Sequence, residues 1–362
     1  VASSQSTFHR LRIAHVAPET REALVVSLDV PDELQDAFVH RAGQHLTLRT
    51  QIDGAEVRRS YSICSPEGET PLRVAIKRVA GGLFSNWAQE HLAAGMTLEV
   101  MPPAGNFTLP VAPATARHYL AFAAGSGITP ILSILKTTLA TEPESRITLV
   151  YGNRASGSVL FKEELEDLKN RYLGRLNLVF VLSRERQDID LFNGRIDRAK
   201  VDDLFRVWIN PKDIDLVFVC GPFGMMEAVR DALTGHGFDA QRVKIELFAT
   251  SATQARPALR HHSIAGADEC EVTIIQDGRT TFFGMKKDGQ NILDAALAQG
   301  IELPYSCKAG VCSTCRCKRV EGEVDMDANF ALEDYELARG FVLACQSYPV
   351  SDRVVLDYDS ET

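Results

Sequence analysis

Cys307-Lys308-Ala309-Gly310-Val311-Cys312-Ser313-Thr314-Cys315 sets three cysteines at the spacing C-x4-C-x2-C, and a fourth, Cys345, follows after 29 residues. This is the thiolate spacing of a [2Fe–2S] centre. Three thiolates from a tight loop are expected around one side of the cluster, with Cys345 brought to the other iron from a distant strand. Ala309, Gly310 and Ser313 keep the loop slim, so that backbone N–H groups can reach the sulfurs. The competing reading is zinc, but zinc ligands come in paired short spacings, often with histidine, and no histidine is nearby. Cys317 falls outside the count and reads as a free or packed thiol. Cys64 and Cys270 read as structural thiols.

Working outward, five of the eight cysteines lie between Cys307 and Cys345. With no apolar leader behind a basic segment, this clustering favours metal ligation over disulfides. No run is long and apolar enough for a membrane span, so a cytoplasmic protein is expected. Val1 to Gln5 reads as a processed end outside the fold. The charge is uneven: residues 270–362 hold 16 acidic and 9 basic side chains, a net −7 out of the chain's −9. An acidic C-terminal quarter argues against nucleic acid and suits either a basic protein partner or a solvated face.

A chain of 362 residues, 45% apolar, exceeds what one core serves. From Leu11 to about Val111, short alternating strands such as His45–Thr50 and Leu72–Lys77 predict an antiparallel β-barrel. From Arg117 to Phe248, the apolar runs Tyr119–Ala123, Ile147–Tyr151, Leu176–Val181 and Leu216–Val219 alternate with helical stretches, predicting an α/β domain with a parallel sheet. Ala249 to Glu269, with Pro257 and His261-His262, reads as a linker. Beyond it, a hairpin around Asp277-Gly278 and a helix over Ile292–Gln299 are expected. The predicted organisation is multidomain, with segments 6–113, 114–248, a linker 249–269, and 270–362.

Four further motifs carry chemistry. Arg59-Ser60-Tyr61-Ser62 lies on a predicted strand, with Arg59 and Tyr61 on one face and Ser62 on the other. In Gly81-Gly82-Leu83-Phe84-Ser85-Asn86, a glycine pair precedes Ser85, read as the N-cap of a helix whose start can bind phosphate. In Gly125-Ser126-Gly127-Ile128-Thr129-Pro130, both glycines are expected to let backbone approach a pyrophosphate, and Pro130 suits a first helical turn. Cys220-Gly221-Pro222-Phe223-Gly224-Met225 follows another apolar strand; on its own, Cys220 reads as a buried strand-end thiol. Arg154 and the Ser183-Arg184 pair follow two further strands, and a guanidinium there suits a 2′-phosphate, which favours NADPH over NADH.

The motifs of residues 8–248 resemble, in order, those of the ferredoxin–NADP reductase superfamily, and residues 270–362 resemble a plant-type [2Fe–2S] ferredoxin, an α+β domain of the β-grasp class. The resemblance implies a flavin-binding barrel carrying FAD. In it Arg59 binds the flavin pyrophosphate, Tyr61 packs on the isoalloxazine and Ser62 sits near N5. Ile76, Lys77 and Arg78 line the flavin, and Gly82, Leu83, Phe84 and Ser85 hold its diphosphate. It implies a nicotinamide site from Gly125, Gly127, Thr129, Pro130, Cys220, Gly221, Pro222 and Met225, with Cys220 shaping hydride transfer, not acting as a nucleophile. Ser62 and Cys220 are thus the expected catalytic pair, and Glu246 and Phe248 are expected near the nicotinamide side of the flavin.

The order of domains is similar to reductase components of multicomponent oxygenases, and Phe8-His9-Arg10-Leu11 and Pro18-Glu19-Thr20-Arg21 are similar to the start of one that serves a di-iron oxygenase. The resemblance implies electron flow from NADPH through FAD and the cluster to such a partner. A reductase for a Rieske-type or steroid hydroxylase shares the same order. A non-catalytic iron–sulfur sensor is the reading from another class.

Overall fold

Period-two alternation builds the first sheet. Strands β1 (His9–Thr20), β2 (Ala23–Asp29), β3 (His45–Ile52), β4 (Ala55–Ser62), β5 (Leu72–Lys77) and β6 (Thr97–Val100) pair antiparallel in the order β4-β3-β6-β1-β2-β5. Just beyond β4, Ile63 bridges to Val74 of β5, and the N–H of Cys64 donates to the Arg73 carbonyl at 2.8 Å, which joins the two edges into a barrel. Leu11, Ile13, Val26, Leu46, Leu48 and Ile76 fill its interior. Helix α1 (Leu83–His91) turns Phe84 and Ala88 onto it. The computed structural model describes residues 7–248 and 268–360, which fall into two units, the first being Phe8–Phe248.

The second sheet is parallel because its central strands are apolar on both faces and a helix follows each of the first four in chain order. It comprises β7 (His118–Ala124), β8 (Arg146–Asn153), β9 (Leu176–Leu182), β10 (Leu216–Gly221) and β11 (Val243–Leu247), in the order β11-β10-β7-β8-β9. Helices α2 (Ile128–Thr141), α3 (Lys162–Arg171), α4 (Arg198–Val207) and α5 (Phe223–Gly235) connect them. The chain steps outward from β7 to β9, then returns to β10 on the other side of β7. Such a reversal opens a crevice at the carboxyl ends of the two central strands.

Barrel and parallel sheet share one apolar core, in which Ala42, Cys64 and Phe107 meet Ile131, Ile134 and Phe218. The rings of Phe107 and Phe218 lie edge to face at 5.5 Å. A partly buried ion triad ties the same junction: Arg73 of β5 and Lys136 of α2 both reach Glu164 of α3, at 3.3 and 2.6 Å.

In the C-terminal unit, β12 (Glu269–Gln276), β13 (Arg279–Lys286), β14 (Arg316–Glu321), β16 (Phe341–Leu343) and β18 (Arg353–Asp357) form a mixed sheet ordered β13-β12-β18-β14-β16. Its central pair, β12 and β18, is parallel. Strands β15 (Val324–Met326) and β17 (Ser347–Pro349) pair separately. The β12–β13 hairpin turns on Asp277 and Gly278, both at positive φ (52° and 68°), as a two-residue turn of type I′ requires. The helix Ile292–Ala298 is capped by the Asn291 side chain, which accepts from the Asp294 N–H, and buries Ile292, Leu293 and Ala296. Of the segment read as a linker, residues 249–267, with Pro257 and the histidine pair, lie outside the described residues. Its last residue, Glu269, instead opens β12, opposite Lys286.

Candidate functional site

Two motifs almost a hundred residues apart meet at the crevice. β7 runs out at Ala124, and Gly125 follows at φ +55°, its carbonyl accepting from the Tyr151 hydroxyl at 2.8 Å. Thr129 is buried and donates to the Ser126 carbonyl at 2.9 Å, so its hydroxyl shapes the loop; Pro130 is buried beside it in the first turn of α2. Gly127 was expected to leave room for a pyrophosphate. Its contact is with protein: a β-carbon there would stand 2.2 Å from the Cys220 carbonyl oxygen. The glycine brings the start of α2 down onto the end of β10, and of the two glycines only Gly125 has the left-handed backbone.

Cys220 is wholly buried. Burial first, and the charge of Glu246 second, push its thiol well above the ordinary range, so it is no thiolate nucleophile. Glu246 lies directly across the β10–β11 ladder from it, and Phe248 packs against the same core. Met225 folds back over Gly221, where a β-carbon would meet its methyl at 2.6 Å, and Pro222, which caps α5, is exposed. On the far side of β7, the Arg184 N–H donates to the Arg154 carbonyl at 2.8 Å and the Ser183 hydroxyl to the Asn153 carbonyl at 3.3 Å. Ser183 and Arg184 are exposed, whereas Arg154 pairs with Glu22 of the barrel.

On the barrel, Tyr61 and Ser62 point to opposite sides of β4: Ser62 is buried, and the Tyr61 ring lies 5.6 Å from that of Phe84. Burial holds the Tyr61 hydroxyl above its ordinary range, with Arg59 opposing. Arg59 is exposed and donates to the Arg58 carbonyl at 2.7 Å. Ser85 is not the helix cap: Gly82 is, and Ser85 lies in the first turn, accepting from the Val79 N–H at 3.1 Å. Asn86 donates to the Gly82 carbonyl at 2.7 Å. These side chains fix the turn before α1, and the N–H groups of Leu83 and its neighbours form the helix start that suits a diphosphate. Gly82 fits this cradle for want of a side chain, since a β-carbon would stand 2.6 Å from Ser85 Oγ.

Ile76 is buried, its carbonyl accepting from Gln89 at 3.0 Å, and Arg78 lies 4.0 Å from Glu90. Lys77, expected on the flavin, reaches from the barrel to the glycine loop after β7, where a β-carbon on Gly125 would stand 3.4 Å from its ammonium. Burial, and then Arg154, lower its affinity for the proton, and Glu22 opposes them. Sequence reasoning missed Glu22; its only signal is its place in the turn between β1 and β2.

The four cysteines of the C-terminal unit come together as two pairs, Cys307 with Cys312 and Cys315 with Cys345. This corrects the expected three-plus-one arrangement, and the cause is strand register. Arg316 of β14 pairs with Leu343 of β16, and the Ala344 N–H donates to the Cys315 carbonyl at 3.1 Å, which lays Cys345 beside Cys315. Cys345 follows the strand instead of lying on it. Among the described residues, no three His, Cys, Asp or Glu side chains converge as a single ion would require. Two neighbouring thiol pairs fit a two-iron centre with two thiolates on each iron.

The loop also fits the charge of such a centre. The Ala309 N–H donates to Cys307 Sγ at 3.3 Å. The Cys345 thiol is held below its ordinary range: Cys315 donates to it, and Gln346 and the Gly310 N–H assist. Gly310, at φ +73°, packs where a β-carbon would meet the Ala328 carbonyl at 2.8 Å. Cys317 is buried in the core, its thiol pushed up to about 12 chiefly by burial.

A flavin barrel joined to a nicotinamide crevice, with a paired-thiol ferredoxin unit, defines a flavin-dependent iron–sulfur reductase. Family models agree domain by domain: the oxidoreductase FAD-binding domain matches residues 12–109, the oxidoreductase NAD-binding domain 122–231, and the 2Fe-2S iron-sulfur cluster binding domain 274–350. One component of the 1,2-phenylacetyl-CoA epoxidase of Escherichia coli (strain K12) is 46% identical over 356 residues, 98% of this chain and 99% of that one. The ferredoxin reductase component of the 3-ketosteroid-9-alpha-monooxygenase of Rhodococcus rhodochrous is 36% identical, over 96% of each chain. The solved structure of phthalate dioxygenase reductase has the same fold, with a TM-score of 0.56 at 23% identity over 97% of this chain and 98% of that one. The chain belongs to the family of FAD- and [2Fe–2S]-containing reductase components of oxygenases, an oxidoreductase that delivers electrons to an oxygenase component. Among the described residues, no helix is long and apolar enough to cross a membrane.

Proposed function

We propose that this reductase draws electrons from NADPH and supplies a di-iron oxygenase acting on phenylacetyl-CoA. The 46% identity across the whole chain to the phenylacetyl-CoA epoxidase component carries the reading, against 36% to steroid-system reductases. When bound, FAD takes electrons from the nicotinamide in pairs and the [2Fe–2S] centre passes them on singly.

Residues 6–113 serve the flavin in this reading, residues 114–248 the nicotinamide nucleotide, and residues from 270 on the cluster. Arg59 and the start of α1 hold the flavin diphosphate, Tyr61 packs on the ring, and Ser62 lies beside its reactive edge. The loop from Gly125 and the start of α5 hold the nicotinamide nucleotide. Cys220, Glu246 and Phe248 shape its seat, and Arg184, exposed at the end of β9, takes the 2′-phosphate. Cys307, Cys312, Cys315 and Cys345 hold the cluster.

Anaerobic addition of NADPH tests the reductase: the flavin band and then the cluster band should bleach, and faster bleaching by NADH at equal concentration would overturn the NADPH assignment. With the remaining epoxidase components, NADPH consumption should depend on phenylacetyl-CoA. Equal consumption without it would remove the partner assignment.

A further inference from the structure

Arg316 follows the cluster ligand Cys315 directly and opens β14. Its guanidinium donates to Glu336 Oε1 at 2.6 Å and lies over the Phe341 ring, 5.0 Å from its centroid. Glu336 is wholly buried, and its second oxygen accepts from the Glu333 N–H at 2.9 Å, closing the capping box of the helix Asp334–Ala338. The cation is therefore held at one place, one residue from an iron ligand.

An ion pair with one partner buried is a weak source of stability, because desolvation offsets most of the attraction. It is an effective way to fix charge beside a redox centre, whose potential depends on nearby charge and on burial. An electron entering the cluster makes it one unit more negative. Unneutralised, Arg316 would favour that electron; Glu336 cancels most of the favour.

We propose that Glu336 is a positioning residue that sets the cluster potential low by neutralising Arg316 beside Cys315. A low potential is what lets the cluster pass an electron onward instead of retaining it. The assignment uses the burial of Glu336, the place of Arg316 next to Cys315 in the chain, and the sign of each charge.

The test is the midpoint potential of the cluster in the full chain, read by its visible absorbance against one-electron mediators. E336Q leaves Arg316 unneutralised and should favour the reduced cluster by about tenfold or more, a rise of about 59 mV per tenfold for one electron. R316Q/E336Q removes both charges and should return the ratio to about the wild-type value, as expected for a coupled pair. R316K keeps the charge and should also stay close to wild type. An unchanged or lowered potential in E336Q would overturn the proposal. So would a double variant that kept the shift of E336Q, because a loosened helix would persist there while a charge effect would not. Iron per chain, measured alongside, shows that each potential comes from a loaded cluster, and R316K with E336Q decides the matter if the double variant fails to fold.

Discussion

Gly127 sits on the carbonyl of Cys220 so closely that a β-carbon would approach it to 2.2 Å. This contact joins the glycine loop after β7 to the thiol-bearing end of β10 across the crevice. Gly127→Ala must lift α2 from the sheet, and overpacking of this kind costs about 1–3 kcal/mol. A higher KM for NADPH with an intact cluster spectrum is expected; an unchanged KM would show that the contact does not position the nucleotide loop.

Gly310 combines a φ of +73° with a close approach to the Ala328 carbonyl. Gly310→Ala meets strain from both, on the loop whose N–H groups face the sulfurs. Iron and labile sulfide per chain should fall sharply. Flavin content should not change, since the flavin motifs lie in the other unit.

Cys345 and Cys317 make a controlled pair of substitutions. Cys345→Ser should abolish the cluster absorbance, whereas Cys317→Ser, at a packed thiol outside both ligand pairs, should retain it. Loss in both would place Cys317 in the ligand set.

Glu164 gives the flavin–nicotinamide unit a pH dependence. Burial alone would raise its pKa, but hydrogen bonds and charge from Lys136 and Arg73 outweigh burial and hold the carboxyl below its ordinary value of 4.5. Because the folded pKa is depressed, the stabilisation is full above the unfolded value and is lost as pH falls through the folded one. Glu164→Gln should cost about 1.5–3 kcal/mol at pH 7, the range for hydrogen bonds to a charged group. Denaturant unfolding followed by flavin fluorescence should show the gap from wild type closing below the ordinary carboxylate range; a gap constant with pH would mean that the charge is not what stabilises.

Arg184→Ala tests the cofactor preference. Loss of a guanidinium–phosphate contact should raise KM for NADPH by about tenfold or more. KM for NADH, which has no 2′-phosphate, should hardly move, and equal effects on both would place Arg184 elsewhere.

The sequence alone determined the elements and the chemistry that is local in the chain. Leu72–Lys77 was legible as a strand because alternation is written in consecutive residues, and Asp277-Gly278 as a hairpin because few residues tolerate two positive φ angles. Cysteine spacing singled out the four thiols that come together for the same reason. Only the tertiary structure decided which distant residues meet. The two-plus-two pairing of the thiols follows from the register of β14 against β16, the seat of Gly127 from the return of the chain to β10, and the place of Lys77 from the packing of barrel on sheet. Ser85 shows the limit within one helix: a serine near a helix start resembles a cap, but Gly82 before it was able to take that position, leaving the Ser85 hydroxyl to bind the turn. Spacing records distance along the chain, and these relationships are set by hydrogen-bond register and packing between segments far apart in it.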